Sequence, residues 1–293
     1  MTTARRKVLP TFAITLIASV APALSAQVPD YPLAPLRTSG DLIAPYFDGW
    51  YANADGSFTL SFGFLNRNTR EDVRIPLGPD NFIEPAEFDG VQPDFFPVVS
   101  RGGFSGRRER GAFAIRIPGA AADRDVVWTL RHAGHSYSIP GRVTSPAYEL
   151  SLEPYSSGSA APELRFQEDG TTSTGREGVY ADAVTVSVGV GLPISLWAQD
   201  RGERPNGRLY PVAVTWQRHQ GPAAVEFGTV SRAGREQSGP TPREGSEFRT
   251  IVTFREPGTY ILRVRVDNFR APDSGFDYNC CWSNAYVPVT VVP

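Results

Sequence analysis

Residues 247–268 read EFRTIVTFREPGTYILRVRVDN, and the fold is decided there. Glu256-Pro257-Gly258 is a turn between two apolar runs, so the stretch predicts a pair of strands. After the turn Val264 and Val266 alternate with Arg263 and Arg265, the period-two pattern of a strand with one buried face. Working outward, VTVSVGVGLPISLWAQD (184–200) supplies one or two strands, and PVAVTWQRHQGPAAVEFG (211–228) continues with Trp216 inside a strand. The chain closes on AYVPVTVV (285–292), where Val287, Val289 and Val291 fall on one side. Together these predict an all-β module over residues 183–293.

This module resembles the immunoglobulin-like sandwiches of bacterial surface proteins, PKD-type domains especially. The resemblance is carried by Trp216, Gly221-Pro222, Phe254 and, above all, EPGTYILRVRV (256–266). It implies that Trp216 and Tyr260 are structural, with Tyr260 as a tyrosine-corner residue whose hydroxyl ties a crossing loop to the backbone. The module departs from the pattern in FRAPDSGFDYNCCWSN (269–284), which is longer than a hairpin requires. The likeness implies a fold and no activity, because such sandwiches host unrelated roles.

A first module is expected over residues 41–152. GWYANADGSFTLSFGFLNRN (49–68) reads as a hairpin about Asp55-Gly56, with Phe58, Leu60, Phe62 and Phe64 on one face. GAFAIRIP (111–118) repeats the alternation, and DVVWTLRHAGHSYSIPG (125–141) gives a second hairpin. The long connection between them holds Phe82, Phe88, Phe95 and Phe96, too many aromatic residues for a disordered segment. Residues 153–182 are small, polar and turn-rich, and read as a linker in which Leu164-Arg165-Phe166 can form one short strand. The expected architecture is two β-sandwich-type modules in tandem, the second immunoglobulin-like; the whole chain resembles secreted bacterial proteins of unassigned role.

The first 26 residues have the anatomy of a cleaved signal peptide: a basic head (Arg5, Arg6, Lys7), an apolar stretch, and Leu24-Ser25-Ala26 as a small-x-small site. The apolar run falls short of a bilayer span. A periplasmic or secreted location is therefore expected, with no membrane-spanning segment in the mature chain. Cleavage takes the 29 basic residues to 26 against 31 acidic, or −5. That charge gives no electrostatic case for nucleic acid. Lys7 is the sole lysine and Met1 the sole methionine, so lysine chemistry and thioether ligation are excluded from the mature chain.

No serine-hydrolase elbow of the form G-x-S-x-G occurs, and His132, His135 and His219 are the only imidazoles. No catalytic residue, cofactor or metal is expected, apart from a calcium option at Asp267, Asn268, Asp273, Asp277 and Asn279. Cys280 and Cys281 are the only cysteines. An oxidising compartment favours a bond between them, which would close almost no loop and act only on local shape. A reduced packed pair, soft-metal binding and an interchain bridge are the alternatives. The leading expectation is a non-enzymatic binding or scaffold protein with a protein or carbohydrate partner. It would serve as an extrinsic subunit on a membrane complex, or in cell-surface adhesion or carbohydrate binding. Tyr278, Trp282, Phe95 and Phe96 are the candidate contact residues. The alternatives are a secreted hydrolase using carboxylates that sequence cannot pair, and a thiol or metal sensor at the cysteines.

Overall fold

The computed structural model describes residues 35–99, 107–143, 145–150, 158–232, 241, 244–271 and 281–293. The expected signal peptide lies outside them. Leu36–Pro293 form one compact unit. The chain is all-β, with no α-helix among the described residues. No helix there is long and apolar enough to cross a membrane.

The N-terminal half contributes β1 (Ile43–Ala52), β2 (Phe58–Asn66), β3 (Val73–Arg74), β4 (Asn81–Glu84), β5 (Phe95–Phe96), β6 (Arg108–Ile117), β7 (Val126–His132) and β8 (His135–Gly141). One sheet runs β1-β2-β6, a second β4-β7-β8, and β3 pairs with β5. The alternating phenylalanines of β2 pack inward as their period requires. Phe62 stacks on Phe113 at 5.2 Å, and Phe113 meets Trp128 edge-on at 4.9 Å. Phe62, Ile115 and Trp128 share this core, with Phe58 half-buried against it. The long connection is ordered by two buried amides. Asn81 accepts from the Trp128 indole (3.0 Å) and donates to the carbonyls of Ile75 and Pro93. Asn66 donates to the carbonyls of Glu71 and Phe96.

The second half contributes β9 (Glu163–Arg165), β10 (Val179–Tyr180), β11 (Val184–Ser187), β12 (Leu192–Gln199), β13 (Ala213–Gln220), β14 (Val225–Phe227), β15 (Ser231–Arg232), β16 (Ser246–Phe254), β17 (Gly258–Asp267) and β18 (Trp282–Val292). One sheet is β14-β16-β12-β9 with β15 also on β16; the other is β10-β18-β17-β13 with β11 also on β18. The pairs β12–β16, β13–β17 and β17–β18 are antiparallel, and β11 runs parallel to β18. This is the connectivity of an immunoglobulin-like sandwich, its first edge divided between both sheets. Tyr260 is fully buried, and its hydroxyl donates to the Glu256 carbonyl at 2.9 Å. Trp216 is buried in the same core.

Two sequence expectations are corrected. The stretch read as a linker is part of the second sandwich: the short strand allowed for at Leu164-Arg165-Phe166 is β9, which pairs with β12 and places Leu164 fully in the core. A second strand that was not expected, β10, pairs in parallel with β18. The polar composition concealed β10, because it offers only two residues to the ladder. The second concerns Arg263, expected on an outward face and in fact 0% exposed. That face of β17 is covered by the first module.

Candidate binding site

Strand β6 links the two modules. Its residues alternate sides, so Arg108 and Arg110 line a cleft on the first module while Glu109 turns towards the second. Glu109 accepts from Arg263 (3.2 Å) and from Arg265 (3.0 Å). Arg263 also donates to the Gly111 carbonyl (2.8 Å) and the Asn284 side-chain oxygen (3.0 Å), and Asn284 donates back to Gly111 (3.0 Å) and to Arg176 (2.8 Å). Burial pushes the Arg263 guanidinium below its usual range, and the Glu109 carboxylate opposes that shift. Removing one partner from such a network costs about 3–5 kcal/mol, chiefly because the other charge is left buried and unpaired.

The seam continues along β13. The Asp94 amide donates to the His219 carbonyl (3.0 Å), and the His219 ring bonds the Val91 carbonyl (2.8 Å). Gln220 donates to the carbonyls of Gly90 and Gln92, and the Gly221 amide to Asp94 (3.2 Å). Burial pushes the His219 pKa down to about 3. The ring therefore stays neutral at ordinary pH, and its Nε2 is the donor to Val91.

Beside the seam lies a groove of about 650 Å³, walled by Phe95, Val98 and Glu109 on one side and Trp216, Arg218 and Phe227 on the other. The Arg218 guanidinium sits 3.9 Å over the Phe95 ring. A larger cleft of about 890 Å³ opens on the first module alone. Its floor is made by a β-bulge: the β1–β2 register shifts between Phe47 and Gly49, and the Asp48 carboxylate is re-aimed across the sheet. Asp48 accepts from Arg108 and from the Gly111 amide, each at 2.6 Å. Arg108 lies 4.2 Å over the Tyr46 ring. The far wall is residues 145–150. The Trp50 indole donates to the Ser145 carbonyl (2.9 Å), and the Leu150 amide to the Trp50 carbonyl (2.6 Å). At Gly49 (φ 141°) a side chain would run into the Tyr148 carbonyl and Leu150, so glycine is what admits this wall.

The candidate contact residues are divided by the fold. Phe96 is fully buried in the first core, and Trp282 is 3% exposed, beneath the Arg176 guanidinium at 4.1 Å. Neither presents a ring to a partner, because the opposite module or the core covers it. Phe95 is half-buried at the groove. Tyr278 and Cys280 lie outside the described residues. Cys281 is buried, with φ 88°, and no described cysteine is free. Asp267 and Asn268 of the calcium option are buried; Asn268 donates to the Ala160 carbonyl and Asp200. Asp273, Asp277 and Asn279 lie outside. Among the described residues no cluster of potential metal ligands forms. His132 and His135 face each other across the β7–β8 hairpin.

Sequence reasoning missed Arg263, Glu109 and Asp48. Alternation of arginine with valine along β17 is the pattern of a strand with a solvated outer face, so nothing local marked Arg263 as buried.

No protein-family model matches the chain, and no curated protein does. Among solved structures, it is similar to domains 4 and 5 of the S-layer protein SbsC at 13% identity and TM-score 0.25, over 58% of this chain and 66% of that one. A titin fragment matches at 13% identity and TM-score 0.25, over 85% of this chain and 99% of that one. A domain of intimin matches at 13% identity and TM-score 0.25, over 86% and 100%. At these scores the likenesses carry no functional argument, and the immunoglobulin-like class rests on the strand connectivity above.

Proposed function

We propose that the chain is a non-enzymatic binding or scaffold protein working outside the cytoplasm, in the periplasm or secreted. The second sandwich is read as PKD-related on its Pro257-Gly258 turn and Tyr260 corner. The observation that supports the reading is the Arg263–Glu109 seam, which joins two sandwiches into one body and holds a cleft and a groove at fixed separation. Fixed spacing serves recognition of an extended partner, because little ordering entropy remains to be lost on binding. The hydrolase alternative is weakened by Asp48, both of whose carboxylate oxygens are already engaged. The sensor alternative is weakened by the burial of Cys281.

The test is binding of the purified mature chain to isolated cell envelopes of the producing organism. Saturable binding that is lost on envelope extraction, with no bond cleaved in the envelope polymers, supports the reading. Absence of saturable binding, or release of cleaved fragments, contradicts it.

A further inference from the structure

Strand β13 is the outer strand of its sheet and pairs with β17 alone. The first module closes one end of its free edge, where the Asp94 amide donates to the His219 carbonyl (3.0 Å). From Ala213 to Gln217 the backbone makes no hydrogen bond beyond the β17 ladder among the described residues. On alternate residues there, N–H and C=O point away from β17, as on any sheet edge. Trp216, Gln217 and Arg218 all line the groove of about 650 Å³. Successive strand residues face opposite sides, so a groove touching three in a row follows the edge of β13. Phe95, Pro97 and Val98 stand across from it.

Two donors of this groove lack acceptors. Arg218 is 8% exposed and makes no hydrogen bond or ion pair among the described residues. Its head lies over the Phe95 ring, and its Nε is buried without a partner, as is the Trp216 indole Nε1. The carboxylates nearby are engaged elsewhere. Asp94 accepts from Arg74 and the Gly221 amide, Asp72 from the Val98 amide, and Glu109 from Arg263 and Arg265. Buried donors without partners are costly and rare in native folds, so these call for an acceptor from outside the chain. Asp72 and Glu109 stand in the lining beside Arg218, so no excess of positive charge favours an anion. A neutral carbonyl is the acceptor that fits.

We propose that the groove takes an extended peptide segment of a partner protein, which adds to β13 as a further strand. A strand laid there gives the free edge its missing N–H and C=O partners, and its carbonyls are the acceptors that Arg218 lacks. It continues the line on which the first module already bonds β13 at His219, so it extends an interface present within the chain. Alternate side chains of the segment turn to the apolar walls, which selects Val or Ile at every second position. The proposal rests on the binding-protein reading and names the chemistry of the partner.

The experiment is hydrogen–deuterium exchange of the mature chain, read by mass spectrometry, with acetyl-Thr-Val-Thr-Val-Thr-Val-Thr-amide as the probe. A second heptapeptide, with proline at the three valine positions, lacks alternate N–H donors and cannot complete a ladder. Slowed exchange over residues 213–218 is expected with the valine peptide alone. Arg218→Met removes the donors and keeps an apolar stem, so it should weaken binding about tenfold or more. It should not lower the thermal midpoint, because Arg218 bonds nothing in the free chain. Arg249→Glu, at an exposed site on the second sandwich, should leave binding within about twofold. Protection by both peptides or by neither would overturn the proposal. So would unaltered binding by Arg218→Met, or a fall in its midpoint, which would make the residue structural. If neither peptide binds while envelope binding persists, the groove assignment falls and the binding-protein reading stands. If envelope binding fails as well, both fall.

Discussion

Tyr260 and Gly111 show two ways a single residue holds this fold. The Tyr260 residue is fully buried, and its hydroxyl gives its one donor to the Glu256 carbonyl at the rim of the corner. Tyr260→Phe should therefore cost about 1 kcal/mol, the net contribution of one such bond. Chemical denaturation checks this, with the midpoint falling at constant slope. Gly111 has φ 54°, and a Cβ on it would enter the Trp282 indole ring from the opposing module. Gly111→Ala should thus cost more than an exposed glycine would, since both the backbone and the seam must shift. Urea titration should show the loss, and near-UV circular dichroism should report the displaced Trp282. Tyr260 was legible in the sequence because the Pro-Gly turn fixes its place at a strand start. Gly111 was not, because its constraint comes from a residue 171 positions away.

At the scale of the element, period-two alternation revealed which strands exist but not what covers their second face. β2 and β17 look alike as patterns, and both are covered on the second face, where β2 buries Thr59 and Ser61 and β17 buries Arg263. Strand β13 carries His219 into the same seam, and the pH dependence follows from its neighbours. Its folded pKa of about 3 lies below the ordinary 6.5. Below pH 6.5 the unfolded chain takes up a proton that the folded chain refuses, so stability falls with pH until about pH 3. The slope is about 1.4 kcal/mol per pH unit. Asp94, whose carboxyl is raised by burial, acts in the opposite direction, gaining stability as pH falls. The Arg263 guanidinium works with burial to keep the ring neutral. His219→Gln preserves a donor for the Val91 carbonyl while removing the titration. Its stability should be flatter between pH 6.5 and 4.5 than that of the parent chain, by thermal melts across that range. Equal slopes would show that the ring is hydrated.

The tandem arrangement was legible from the two runs of alternating strands, since each run needs its own core. The relation between the cores was not legible: Glu109 and Arg263 are 154 positions apart, and nothing local marks either as a partner. The small polar stretch between the modules looked like a spacer, yet it completes both sheets of the second sandwich. An account in which β6 ties a binding cleft to the seam requires the two sandwiches to melt together. Differential scanning calorimetry of the mature chain tests this most directly. The account predicts one cooperative transition, with Arg263→Met lowering it or splitting it in two. Two separate transitions in the unaltered chain, neither moved by Arg263→Met, would contradict it.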